Sequence, residues 1–453
     1  MKDLSKGPIA GHIVSMAAPI MIGMLVQTLY YMVDLYFVGR LGHVALAGVS
    51  AAGNVMLIVM ALTQMMSVGA VTLIARAVGS KHQQQANHLF NQSMLMGLAG
   101  MVLTLLAGFT LTRWYMQAVG ADAATQEAGL AYLYWYTPGL ALQFILVALA
   151  AGLRGVGIVK PTMLVQLLTV LINIVLAPVL IAGWGSGVAL GVAGAGLASS
   201  LAIVVGVLVT IWYFARAEHY IRIEWRALRP DWLSIRSMLN IGFPAGAEFA
   251  CMFLFMAIIY KAVSHFGAPA MAGFGVGARI MQAIFMPGMA IAFAIPAIAA
   301  QNIGAGQVDR VRETIFKALQ IEAAMMFLLM LLCKFAPEAL VNVFIQETEA
   351  RRVALDYLRL ISWNFVASGL VFAASGLFQS FGNTWPSLFS TTTRIITFAV
   401  PVFYLSQKPD FAITDIWYLS VITVSLQAVL SLTLLRREWR LTRNRMQLNR
   451  SAA

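Results

Sequence analysis

Charge is scarce in this sequence. Its 453 residues hold 30 Lys and Arg and 18 Asp and Glu, 11% in all, against about 25% in soluble domains. A soluble globular domain is thereby excluded, and a content of 60% hydrophobic residues points to a polytopic membrane protein. Cysteine is nearly absent. Cys251 and Cys333 both fall in apolar runs, which leaves no disulfide framework and no cysteine metal site. The apolar runs also lack period-2 alternation, which excludes the strands of an outer-membrane barrel. There is no Gly-rich phosphate loop and no nucleophile–base set, so neither an enzyme nor an ATP-driven pump is expected, and no cofactor.

What is present is a series of apolar runs, each long enough to cross a bilayer, which takes roughly 20 residues. Twelve occur, from 13–38 to 413–435, the tenth at 354–379. The fold class expected is all-α with twelve transmembrane helices. The first run is too long for a cleavable signal peptide. The net charge of +12 follows topology, not nucleic acid. With the N-terminus in the cytoplasm, twenty Lys and Arg lie on the inner side and seven on the outer. That bias fixes both termini inside, in a plasma (inner) membrane. The bilayer, anionic lipid above all, is the partner it implies. A monomer is expected.

An internal repeat runs through the chain at an offset of 225 residues, pairing Pro19 with Pro244, Gly42 with Gly267, Gly48 with Gly273, Gly157 with Gly382 and Pro161 with Pro386. A register kept without gaps over so long a stretch marks a duplication. Six spans per half is an even number, so the repeat is parallel, about an axis along the membrane normal. The expected organisation is an N-terminal lobe 1–214, a cytoplasmic linker 215–237 carrying a short surface helix, and a C-terminal lobe 238–453 with a basic tail.

Three acids fall clearly within spans: Asp34, Glu248 and Glu322. A charge at a helix centre costs about 2.5–3.5 kcal/mol on insertion scales, so such residues face a bundle interior or aqueous cavity and are functional candidates. Gln27, Tyr30, Tyr31 and Asp34 recur at i, i+3, i+4 and i+7, one face of the first span. A carboxylate in that company is hydrogen-bonded when ionised and tolerable when protonated. In the repeat register Asp34 stands eleven residues beyond Glu248, about 16 Å of helix. Two distinct sites at different depths are therefore expected, one per lobe. Glu322, a turn or two into the ninth span from the cytoplasm, reads as structural or snorkelling. Arg279 and Arg394 either neutralise Glu248 or a bound anion, or tie helices together. Pro19 and Pro244 interrupt corresponding helices, which marks moving, cavity-lining segments or else packing kinks. The 25 Met and 48 aromatic residues suit a pocket that adapts to apolar cations.

Four stretches carry a resemblance: "AAPIMIGMLVQTLYYMVDLYFVGRLGHVALAGV", "GLRGVGIVKPT", "LGVAGAGLAS" and "QNIGAGQVDRVR". With the 6+6 layout they make the chain resemble the MATE family, the multidrug and toxic compound extrusion transporters. The resemblance implies efflux of small-molecule drugs or toxic organic cations against an inward H⁺ or Na⁺ gradient. It places Asp34 as the helix-1 acid of the cation site and Pro19 as the helix-1 proline that bends in the DinF-like branch. Asn173 matches a helix-5 asparagine of that site and Tyr132 a helix-4 tyrosine; Na⁺ at Asp34 is the alternative to H⁺. The chain departs from both branches. Ala177 stands where the DinF-like branch has a helix-5 acid. Glu248 is about a turn earlier than the helix-7 glutamate of the NorM-like branch, and Ser368 is near the place of its helix-10 aspartate. The DinF-like branch is the closer of the two. A lipid-linked saccharide flippase of the same superfamily is the alternative function, though it should line its cavity with more than two mid-span cations. A non-transporting scaffold has no use for the intramembrane acids.

Overall fold

The computed structural model describes residues 2–185, 187–216, 220–224, 229–345 and 347–451, with the side chains of Tyr31 and of 449–451 outside the described set. Among the described residues the regular structure is all helical, with no strand, and the expected runs fall on helices except for a break in the tenth. In the first half these are α1 (Ile9–Gly39), α2 (His43–Gly79), α3 (Gln83–Val119), α4 (Ala123–Gly155), α5 (Lys160–Ala182) and α6 (Gly191–Arg216). In the second they are α7 (Trp232–Val263), α8 (Gly267–Gly304), α9 (Val308–Phe335), the short α10 (Pro337–Val341), α11 (Thr348–Ile361), α12 (Asn364–Phe381), α13 (Trp385–Leu405) and α14 (Ile413–Ser451). Among the described residues eleven stretches are long and apolar enough to cross a membrane, one of which, Trp232–Gly304, contains both α7 and α8.

The tenth run is not one helix. It breaks at Ser362–Trp363 into the amphipathic α11 and the apolar α12. The Ser362 hydroxyl donates to the Arg359 carbonyl at 2.9 Å, and the Asn364 amide donates to Ser420 at 3.1 Å. The Ser362 hydroxyl and the Asn364 amide group thus find acceptors where the helix ends, while Asn364 Oδ1 is buried without a partner among the described residues. On α11, Arg359 pairs with Glu338 at 3.5 Å, and Asp356 lies 4.0 Å from Arg352.

The 225-residue register reaches the backbone itself. α3 and α9 begin at 83 and 308, α4 and α11 at 123 and 348, α5 and α13 at 160 and 385. After α2, Lys81 takes the left-handed conformation at φ 61°; its counterpart after α8, Gly306, takes φ 68°. His82 N then donates to Ala77 O, and Gln307 N to Asn302 O, both at 3.0 Å. The turn is conserved between halves although one copy fills its left-handed position with a lysine, which glycine would occupy without strain.

The chain resolves into two compact units. One comprises residues 1–3 and 22–242, the other 4–21 and 243–453. The divisions fall just past Pro19 and just before Pro244, whereas composition alone divides the chain at 214 and 238. In the first unit α4 packs against α2, α3 and α6; in the second α12 packs against α8, α9 and α14, the matching set. Residues 4–21 are held in the second unit by the ends of α8 and α9. Leu4 N donates to the Gln301 side chain at 3.0 Å, and Arg310 donates to the Gly7 carbonyl at 2.9 Å. Residues 232–242 are held in the first unit by a close approach to α2. A Cβ at Gly69 would lie 2.8 Å from the Met238 carbonyl carbon, and one at Gly242 would lie 2.7 Å from that of Met65.

The expected linker helix falls in part on 217–219 and 225–228, outside the described residues, as does Arg226. Of the described linker residues, 215–216 end α6 and 232–237 begin α7, while 220–224 and 229–231 are not helical. Amide side chains on α3 hold them instead. Asn91 donates to Arg222 O at 3.0 Å and accepts from Glu224 N at 2.9 Å; Gln92 does the same for Arg229 O at 2.7 Å and Asp231 N at 3.0 Å. Side-chain amides thus answer the backbone groups of these non-helical residues in place of helical bonds. Asp231 also accepts from Ser234 at 2.6 Å and lies 3.0 Å from His88, which hold its carboxyl down at about 2.

Candidate functional site

Asp34 lies in the second half of α1 and is buried, with 4% of its surface exposed. Three helices of the same unit converge on it. The Ser199 hydroxyl from α6 donates to Asp34 Oδ2 at 3.1 Å, and the Asn173 amide from α5 donates to Ser199 Oγ at 3.4 Å. The hydroxyls of Tyr30 and of Tyr136 from α4 are both within electrostatic range of the carboxyl. Asp34 Oδ1 and Asn173 Oδ1 are buried with no hydrogen-bond partner among the described residues. A buried oxygen left unpaired costs about 1–3 kcal/mol, more if charged. One carboxylate oxygen is therefore anchored while the other is open to a proton or a cation.

The sequence-derived residues meet here unequally. Asp34, Tyr30 and Asn173 come together. Tyr132 is buried on α4 with its ring centroid 5.2 Å from that of Tyr136, one turn on. Gln27 shares the helix face by spacing but is exposed and does not join the cluster. The side chain of Tyr31 lies outside the described residues. Ser199 and Tyr136 were missed. Ser199 lies within the "LGVAGAGLAS" stretch, but a serine among small residues reads as helix packing, and only the fold brings it to Asp34.

Glu248 is half-buried on α7, in the other unit. The Ser375 hydroxyl from α12 donates to its Oε2 at 3.0 Å, and the Thr391 hydroxyl from α13 to its Oε1 at 3.5 Å. Thr391 in turn accepts from Gln427 of α14 at 3.2 Å, whose carbonyl oxygen accepts from Arg394 at 3.4 Å. The Arg394 guanidinium also lies 4.3 Å from the centre of the Phe255 ring. Arg394 thus reaches Glu248 through two side chains and not by direct pairing, so the pair is relayed. Arg279 is exposed and stands apart from this network. Pro19 and Pro244 are both buried within continuous helices.

Glu322 corrects the snorkelling reading. It sits midway along α9, fully buried, with both carboxylate oxygens unpartnered among the described residues. It fills a niche opposite Gly369 of α12, where an added Cβ would lie 3.1 Å from Glu322 Cγ. The third intramembrane acid is therefore as enclosed as Asp34.

Both halves of the chain match one family, the model for MatE aligning with residues 19–179 and again with 244–405. A probable multidrug resistance protein of Bacillus subtilis, YoeA, is 26% identical over 90% of each chain. An FAD transporter of Shewanella oneidensis is 24% identical over 90% of this chain and 91% of its own. A crystal structure of a MATE protein in the bent conformation superimposes with a TM-score of 0.91 at 23% identity, covering 98% of both chains, which speaks to the fold alone. Two matched repeats spanning most of the chain leave no ambiguity: this protein belongs to the MatE family of multi-pass membrane transporters.

Proposed function

We propose that the chain is a secondary antiporter that exports organic cations in exchange for H⁺, with Asp34 as the group that takes up and releases the driving ion. The observation that carries this reading is the half-anchored carboxyl: Oδ2 held by Ser199, Oδ1 buried and unpartnered. Protonation removes the cost of an open buried charge, so it favours the enclosed arrangement of α1, α5 and α6. Release requires the arrangement to open. α1 is suited to convey this, because the chain passes from one compact unit to the other just beyond Pro19. The residues before Pro19 stay tied to Gln301 and Arg310 while those after it carry Asp34. Antiport then needs only that ion and substrate favour different states or compete for one. Glu248 is the group proposed to balance substrate charge, its carboxylate held by hydroxyls and its distant arginine occupied by Gln427 and Phe255.

A second reading, Na⁺ as the driving ion, has its own support. Na⁺ takes several oxygen ligands, and Asp34 Oδ1 and Asn173 Oδ1 are two unpartnered oxygens in one cluster. The protein is placed in the plasma (inner) membrane with both termini cytoplasmic in this proposal. The flippase alternative is weakened by the engagement of Arg394. The test is efflux of a fluorescent cationic dye from proteoliposomes under a pH gradient alone and a Na⁺ gradient alone. Efflux driven by the pH gradient supports the main reading; efflux driven only by Na⁺ transfers the role to that ion. Efflux indifferent to both rejects ion-driven antiport.

A further inference from the structure

Between α9 and the last turns of α14, within the second unit, lies a cavity of about 760 Å³ that belongs to neither acid site. Its lining is graded. Leu319 and Leu432 lie toward the helix interiors, whereas Arg312, Arg436, Arg440 and Arg443 lie toward the ends. Along α14 the step from Leu432 to Arg443 is eleven residues, about 16 Å. The three α14 arginines recur at i, i+4 and i+7, on one face. They have no ion-pair partner among the described residues. Arg312 rests 5.7 Å from the centre of the Phe316 ring, and the one acid in the lining is Asp309. The cleft therefore combines four guanidinium groups, against one carboxylate, with an apolar floor.

The length of α14 says where this cleft stands. Its 39 residues make about 58 Å of helix, roughly twice the 30 Å hydrocarbon thickness of a bilayer. The arginine end thus runs out past the hydrocarbon into the headgroup layer, with Trp439 in the cleft as an interfacial side chain. A free phosphate compound would use the arginines and leave the leucines idle. A neutral lipid would use the leucines and leave the arginines unmatched. We infer that this cleft binds one anionic phospholipid, its phosphate against Arg436, Arg440 and Arg443 and its acyl chains along Leu319 and Leu432. The inference rests on membrane insertion and not on the efflux reading.

The test uses the purified full chain in detergent, with the apparent melting temperature followed as dioctanoyl phosphatidylglycerol, dioctanoyl phosphatidylcholine or inorganic phosphate is added. The phosphatidylglycerol alone should raise it saturably. The triple variant Arg436→Gln/Arg440→Gln/Arg443→Gln, all exposed positions, should melt like the wild type without lipid. Its half-saturating phosphatidylglycerol concentration should rise about fivefold per arginine, on the order of a hundredfold for three. An equal response to phosphatidylcholine, a full response to phosphate, or an unaltered response in the triple variant each overturns the assignment. Should the triple variant fail to fold, phosphatidylglycerol with brominated chains serves instead. The fluorescence quenching lost on Trp439→Phe must then saturate with that lipid, and the absence of any such component overturns the site.

Discussion

Replacing Gly242 with alanine places a methyl group onto the Met65 carbonyl, with its Cβ 2.7 Å from the carbonyl carbon. Neither side of this contact is a flexible side chain. Relief requires α2 and α7 to part by more than an ångström, because the Met65 carbonyl oxygen lies closer still to that Cβ than the carbon does. Overpacking costs about 1–3 kcal/mol, and a backbone-on-backbone overlap belongs at the top of that range, about 3 kcal/mol. For a unit of this size each kcal/mol moves the melting temperature by about 2–4 °C, so a fall of about 6–12 °C is expected. The assay is size-exclusion chromatography of the detergent-solubilised protein after heating. Gly69→Ala should act alike, since its Cβ meets the Met238 carbonyl group one turn away on the same crossing. The double variant should lose less than the sum, because one separation of the helices relieves both overlaps. A Gly242→Ala protein melting within a degree of wild type would refute the close crossing that holds residues 232–242 in the first unit.

Ser199→Ala removes the hydroxyl on Asp34 Oδ2; a hydrogen bond to a charged group is worth about 1.5–3 kcal/mol, so ion-driven efflux kcat/KM should fall roughly 10- to 100-fold while dye binding stays. Gly306→Ala meets no atom within 4 Å and isolates backbone strain at φ 68°; a loss of about 1–2 kcal/mol is expected, and Lys81→Gly at the matching turn should cause no loss in a melting assay. Asn91→Ala strands the Arg222 carbonyl and the Glu224 amide, so hydrogen exchange at Glu224 should accelerate at least tenfold with that of α4 unaltered.

The helices and the duplication were legible because both are written in short-range features. Apolar runs mark spans, and turn residues such as Gly157 and Gly382 hold their spacing. The break at Ser362–Trp363 was hidden because the apolar character continues from α11 into α12. The tethering of residues 222 and 229 was hidden for another reason: their hydrogen-bond partners, Asn91 and Gln92, stand more than 130 residues away in sequence. At the candidate site the costly residues stood out, Asp34 and Glu248 above all. Helical spacing also nominated Gln27, which is exposed, because one face of a helix is wider than the contact it makes. Ser199 carries no mark of its own. Glu322 was read from its distance to the helix end, yet burial is decided by neighbouring helices, and Gly369 gives it room.

The role proposed for Asp34 is to carry the driving ion. Its most direct test is proton movement set off by substrate. Proteoliposomes loaded with a pH-sensitive dye are given an organic cation, and lumenal pH is followed for wild type and Asp34→Asn. A substrate-dependent proton flux is expected in the wild type and is lost in Asp34→Asn, whose substrate binding is retained. A proton flux of wild-type size in Asp34→Asn would contradict that role.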